Sequence, residues 1–431
     1  MNKYQQFIFK DYSFDRAQKS LKLYYSFDDQ LNFQEIYTFN FEFIDYDPEI
    51  LEKALFDLFI MAGISYFKGY IPLTIRIDKN SLNEFRANFF NKIYQKGLGE
   101  FWYVNNLDPN TNINFPFKEQ AEVSLEVQNN SGILVGIGGG KDSLLVVEAL
   151  QNLNLDFMTW SLNHQEKLKP LINRIGTKHL YVDRVIDPKL LELNKLDALN
   201  GHIPISAIIG FVGVIVAILS GNQDIVVGNE HSASEPNLTY RGVLINHQYS
   251  KSIEFESDLQ QYLKANYQDS IRYYSFLRSL SELRIAEIFA KTGFNKYSKF
   301  FSSCNRAFRL DHKELYWCGE CPKCAFIFML FRPFIEEKEL IKLWNGKNLL
   351  LEKSLEPIYQ ELLGIKGSKP LDCVGEIKEA RAAMRLCQEI YPSLKNKYVF
   401  DLPLDYDYRT IWNNLMPEDI NSLFQKFITQ F

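Results

Sequence analysis

Cysteine is scarce in this chain of 431 residues, with six in all, far below the density of a disulfide-stapled secreted domain. That scarcity excludes a small cross-linked scaffold and points to a reducing compartment. The first residues, MNKYQQFIFKDYSFDR, mix charges with aromatics where a secretory signal would place an unbroken apolar stretch, so a cytoplasmic location is expected. The one membrane-like run, Ile203 to Leu219, has 17 residues, short of the roughly 20 a bilayer needs. Its small residues Ala207, Gly210 and Gly213 suit a helix buried beside a sheet, and no membrane insertion is expected. Positive charge is not in excess: 48 Lys and Arg against 53 Asp and Glu leave a net charge of -5, which disfavours dedicated nucleic-acid binding. Internal repeats and low-complexity linkers are lacking too, and nothing in the sequence sets an oligomeric state.

What is present is ordinary globular usage, 46% hydrophobic and 23% charged, in a length that suits two or three domains. Residues 1–125 read as an N-terminal α+β domain, with alternating segments LKLYYSF and IYTFNFEF followed by a helical stretch around EILEKALFDLFIMAGISYF. From about 126 to 300 the pattern becomes strand, glycine turn, helix: GILVGI, GGGKDS, SLLVVEALQNL, then DFMTWSL, KHLYVD, the buried helix and DIVVGN. Strands alternating with helices predict an α/β fold with a doubly wound parallel sheet. Residues 301–431 read as a helical C-terminal region containing a cysteine window.

The glycine turn, Gly138-Gly139-Gly140-Lys141-Asp142-Ser143, follows a predicted strand and opens a predicted helix, where free amides make an anion seat. The pattern GxxxxGK[ST] fails at Val135 and Asp142, and GxGxxG fails at Lys141. A second loop at the end of another predicted strand holds Asn229, Glu230, His231, Ser232 and Asn237, polar groups suited to sugar or carboxylate recognition near the same sheet edge. Polar runs around His202 and around His247 to Lys251 flank it. Cys304, Cys318, Cys321 and Cys324 form C-x13-C-x2-C-x2-C, a thiolate set that favours a closed tetrahedral Zn²⁺ site, with an iron–sulfur cluster as the competitor. Cys373 and Cys387 stand apart from that window.

GGGKDS is close to SGGxDS, the PP-loop of ATP pyrophosphatases (the adenine nucleotide alpha hydrolase-like fold), with Gly138 in place of the first serine. That resemblance implies adenylation of a substrate by ATP with release of pyrophosphate. It also implies that Gly139, Gly140, Lys141 and Ser143 hold the pyrophosphate while Asp142 places Mg²⁺. A PP-loop followed by a four-cysteine knuckle resembles 7-cyano-7-deazaguanine synthase, whose family is only about half this length. Over nearly the whole chain, the ordered motifs LFIMAGISYFKGYIP, KGLGEFWYVNNLDPN, GIGGGKDSL, NGHIP, GNEHSASEPN, HQYSKS, SSCNRAF, WCGECPKCAFIF and LDCVGEIKEARAAM resemble the UDP-N-acetylmuramoyl-L-alanyl-L-glutamate epimerase (MurL) family. The resemblance implies inversion of the terminal L-Glu of a UDP-linked muramoyl dipeptide through an acyl-adenylate, in peptidoglycan precursor synthesis.

Candidates for the groups that move the α-proton are His202, His231, His247 and Cys373, because an imidazole or an activated thiol titrates near neutral pH. Asn229, Glu230, Ser232, Asn237, Arg241 and Lys251 are expected to contact the substrate. The alternatives are another PP-loop adenylating enzyme, acting in nucleobase modification or amide formation, and a non-catalytic nucleotide-binding protein.

Overall fold

A computed structural model describes residues 3–121, 123–127, 130–308 and 314–431. The strands are β1 (Gln6–Asp15), β2 (Ser20–Phe27), β3 (Leu31–Asn40), β4 (Thr74–Ile77), β5 (Ile133–Gly136), β6 (Phe157–Leu162), β7 (His179–Val185), β8 (Asp224–Val227), β9 (Leu238–Tyr240), β10 (Val243–Ile245) and β11 (Arg272–Ser275). All but β9 and β10, which form a separate hairpin, belong to one nine-stranded sheet of order β11-β8-β5-β6-β7-β3-β2-β1-β4.

From β11 to β7 the strands run parallel, as strands alternating with helices require. From β5 the chain winds outward in one direction through β6 and β7 and in the other through β8 and β11. The switch point therefore lies between β5 and β8, whose carboxyl ends lead into the glycine turn and the second polar loop. Ligands of doubly wound sheets bind in the crevice such a switch opens.

The sheet is not parallel throughout, and the N-terminal strands do not form a sheet of their own. β3 pairs antiparallel with β7, and β2 and β1 continue the antiparallel run to the edge, where β4 pairs parallel with β1. Alternation sets the faces: Leu134 of β5 joins a core built on the aromatic strands β1 to β3 and the helices Pro48–Ala62 and Ile205–Ser220. Its neighbours Ile133 and Val135 join a second core with the helices Lys141–Asn152, Glu282–Thr292 and Pro322–Phe331. The helix Ile205–Ser220 is buried along most of its length, which accounts for its membrane-like composition. Among the described residues no helix is long and apolar enough to cross a membrane.

A buried ion pair locks the seam between the antiparallel and parallel halves. Arg184 on β7 donates from Nε to Glu35 Oε1 of β3 at 2.8 Å and from Nη2 to Ser65 Oγ at 2.8 Å. Removing one partner strands the other charge in the core. We expect Arg184→Ala to lower stability by about 3–5 kcal/mol in urea denaturation.

Candidate active site

The helix Lys141–Asn152 starts at Gly140 with no side chain capping its first amides, so the donors expected to seat an anion are open. Gly139 has φ +86°, a backbone state that favours glycine. The two switch-point loops touch: a Cβ on Gly228 would lie 2.9 Å from the Asp142 carbonyl carbon, so only glycine lets the second loop approach the first. Ser302 N–H donates to Gly139 O at 3.0 Å, and the Ser303 hydroxyl faces Gly140 with no hydrogen-bond partner among the described residues.

Lys141 does not reach into the anion seat. Its fully buried ammonium is enclosed by Asp142 and Glu282, and Lys323 donates to the other Glu282 oxygen at 3.2 Å. Burial would push the Glu282 carboxyl up, but the two ammonium groups outweigh it and hold it down. Glu230, also buried, is pushed the other way by burial and by the nearby charges of Glu282 and Asp142. Ser143 Oγ donates to Gly140 O at 3.2 Å.

The second loop is anchored from beneath by Arg278, which is wholly buried. Arg278 binds Glu256 at 2.7 Å and donates to the carbonyls of Glu230 and Lys251, each at 2.6 Å. Ser275 Oγ donates to Asn229 O at the same place. Asn237 spans two segments, accepting from His247 N–H at 2.9 Å and donating to Pro370 O at 2.9 Å. Ser232 is buried, and its hydroxyl finds no partner among the described residues.

These anchors bring together groups far apart in sequence. His247 Nδ1 bonds Glu100 Oε2, and His247 Nε2 lies 3.8 Å from Cys373 Sγ. Lys251 Nζ reaches the same sulfur at 3.6 Å. The His202 ring lies 4.4 Å from that of His247, with Nδ1 3.9 Å from Glu100 Oε2. Burial would raise the Cys373 thiol, yet Lys251, His247 and Lys323 together bring it down to about 6. His247 is lowered by burial and raised more strongly by Cys373 and Glu100, to about 9. His202 is pushed down to about 4 by burial and by His247, so its contact with Glu100 is not an ion pair at neutral pH.

Two sequence candidates lie elsewhere. His231 stacks on Trp412 at 4.2 Å and sits 3.8 Å from Glu376, apart from the thiol. Arg241 occupies the exposed turn between β9 and β10, over Tyr240. Beside Glu100 and His247 opens a cavity of about 640 Å³, whose walls include Lys92, Lys96, Trp102, Asn246 and Tyr249.

Residues 1–276 match the MurL N-terminal domain and residues 300–402 the MurL C-terminal domain. The chain belongs to the MurL family. Curated relatives named UDP-N-acetyl-alpha-D-muramoyl-L-alanyl-L-glutamate epimerase include one from Xanthomonas oryzae pv. oryzae, 39% identical over 78% of this chain and 74% of its own. Those from a Micromonospora strain and from Salinispora tropica are 35% and 36% identical, each over 89% of this chain and over 87% and 85% of their own. In this MurL chain Glu100, His202, His247 and Lys251 fall in the first matched domain and Cys373 in the second. The thiol therefore meets its partners only where the two matched segments pack.

The cysteine window of the MurL C-terminal domain also comes together. Cys304 Sγ and Cys321 Sγ are 3.8 Å apart, as are those of Cys318 and Cys324. A tetrahedral ion with metal–sulfur bonds of about 2.3 Å has ligand separations of about 3.8 Å. Backbone amides of Arg306, Gly319, Glu320 and Cys324 point at the sulfurs at 3.4 Å. The four thiols fit a metal ion such as zinc. Cys387 is buried, its thiol donates to Met329 O at 3.4 Å, and burial pushes it up, so it is a packing residue.

Sequence reasoning missed Glu100, Lys323, Glu282 and Arg278. Glu100 stood within KGLGEFWYVNNLDPN, but nothing local ties it to a histidine 147 residues away. We expect Lys141→Ala, which leaves Glu282 with Lys323 as its ammonium partner among the described residues, to cost about 3 kcal/mol in urea unfolding.

Proposed function

We propose that the protein inverts the α-carbon of the terminal glutamyl residue of UDP-N-acetylmuramoyl-L-alanyl-L-glutamate through an acyl-adenylate made from ATP. Membership of the epimerase family supports the substrate and the outcome. The observation that carries the chemistry is that Lys251, whose ammonium lies 3.6 Å from the Cys373 sulfur, also feels the charge of Asp142 in the uncapped glycine turn.

A free carboxylate resists loss of its α-proton because the new negative charge would sit beside an existing one. The acyl-adenylate has no such charge, and its carbonyl delocalises the electron pair as an enolate. The amides of the first helical turn, with Gly139 and Gly140, receive the departing pyrophosphate. Asp142 and the neighbouring Glu230, whose carboxyl is pushed up first by burial and then by the charges of Glu282 and Asp142, suit Mg²⁺, which neutralises phosphate charge when bound. The 640 Å³ cavity next to Glu100 takes the nucleotide-sugar portion, with Trp102 and Tyr249 among its walls beside Lys92 and Lys96, which pair with Glu254 and Asp258. Hydrolysis of the inverted acyl-adenylate yields the D-glutamyl product, AMP and pyrophosphate, and makes the inversion directional. A nucleotide sensor would have no use for an ionised thiol beside its loop.

Cys304, Cys318, Cys321 and Cys324 hold a structural Zn²⁺ in this reading. Its role follows from connectivity: Ser302 and Ser303, which pack on Gly139 and Gly140, immediately precede Cys304. Elemental analysis should give one zinc per chain, and Cys318→Ser should lose it and lower the melting temperature. Stoichiometric iron and sulfide would refute the zinc assignment.

The reaction is tested by incubation with ATP, Mg²⁺ and the dipeptide precursor, followed by chiral analysis of released glutamate. We expect D-Glu, with AMP and pyrophosphate formed alongside; unchanged L-Glu with folded protein would sink the proposal. Asp142→Ala should slow pyrophosphate release by about a hundredfold or more with an unaltered circular dichroism spectrum.

A further inference from the structure

We propose that Cys373, as a thiolate, is the base that removes the α-proton, and that Glu100 is a positioning residue that keeps its partner His247 charged. This rests on the epimerase reading and says which atoms carry its central step.

Three observations converge on it. The sulfur is in contact with two cations, His247 at 3.8 Å and Lys251 at 3.6 Å, and Lys323 adds charge from the helix Pro322–Phe331. His247 uses both ring nitrogens, Nδ1 toward Glu100 and Nε2 toward Cys373. The Glu100–His247 contact therefore holds the ring with Nε2 facing the sulfur. Finally, the groups facing the pair are Glu100, His202, Lys251, Lys323 and Asp372. Asp372 is tied to Asn305 and is itself pushed up by burial, so the cations prevail at the sulfur. With Cys373 brought down to about 6 and His247 raised to about 9, thiolate and imidazolium coexist between those values. Below about 6 the thiol regains its proton, and above about 9 the imidazolium loses its own.

With the α-carbon seated against Sγ, the step balances without any co-reactant. The Cα–H bond breaks, its proton forms S–H on Cys373, and its electron pair moves onto the acyl oxygen as an enolate. The enolate then turns its other face to the sulfur, and Sγ–H returns a proton to the α-carbon, which restores the thiolate. One group thus serves as base and then as acid, while His247 and Lys251 keep the sulfur ionised between turnovers.

The test is the pH profile of Cys373 alkylation by iodoacetamide, read on its own peptide by mass spectrometry in the zinc-loaded protein. We expect a midpoint near 6 in the unaltered protein. Glu100→Gln should move it up by about one pH unit or more, because the imidazolium loses its counter-charge. Glu100→Asp should restore it to within about half a unit. Deuterium wash-in at the glutamyl α-carbon should fall about tenfold or more in Glu100→Gln, while ATP–pyrophosphate exchange stays within about twofold. An ordinary thiol midpoint of about 8.5 in the unaltered protein, an unmoved midpoint in Glu100→Gln, or normal wash-in in Cys373→Ser would overturn the assignment. Failure of the epimerase reading looks different: no inversion, with the alkylation midpoint still near 6.

Discussion

One buried guanidinium holds the site in shape. Arg278 follows β11, is fully enclosed, and is neutralised by Glu256 on the helix Ile253–Tyr267. Its remaining donors go to the backbone of Glu230 in one loop and of Lys251 in another. Glu256 also accepts the Ser275 amide at the end of β11. A buried ion pair alone is weak evidence of stability, since desolvation offsets the attraction. Here the geometry is spent on placement: the carbonyls of the two segments that face the reacting groups are fixed to a single planar fork.

That placement governs how charge is shared. Lys251 acts on both Asp142 and Cys373, and Lys323 acts on both Glu282 and Cys373, so the same two ammonium groups connect the glycine turn to the thiol. A cation arriving at Asp142 and Glu230 would take over part of the charge balance that Lys251 now supplies. The lysine would then be freer to stabilise anionic sulfur or a nearby enolate oxygen. In the proposed reaction adenylation and proton removal act on adjacent carbons of one substrate, so sharing cations between them would follow from the spacing of the chemistry itself.

Much of the parallel sheet was legible in the sequence because its strands are short apolar runs separated by helices of clear period. The glycine turn and the four-cysteine window were legible for the same reason, being local patterns. What escaped is long-range. The alternation of β3 predicted a strand but not that it would pair with β7 and continue the same sheet. Within the four residues before Cys373 the sequence offers one cation, Lys369, and that lysine is engaged by Glu235 at 3.0 Å. The cations that ionise the sulfur come from His247 and Lys251, more than a hundred residues earlier. Arg241, chosen for its charge, was carried away by a hairpin turn in which both it and Gly242 adopt positive φ. Charge composition says which groups exist; only the packing of loops says which of them meet.

The pairing of a lowered thiol with a raised imidazole also bears on why one site serves both directions of proton transfer. A thiol left at its ordinary value of about 8.5 would be ionised only to a few per cent at neutral pH, and an ordinary imidazole at about 6.5 would be mostly deprotonated. Neither would then be in the state its role needs. Contact between them moves each away from neutrality in the useful direction, because the thiolate stabilises the imidazolium and the reverse. Glu100 adds a fixed negative charge on the far side of the ring, which favours the imidazolium without competing for the sulfur. His202, kept neutral by burial, borders the pair without adding a positive charge that would weaken it. Thiolate and imidazolium are thus populated together around neutral pH, held so by the carboxylate on one side and the two lysines on the other.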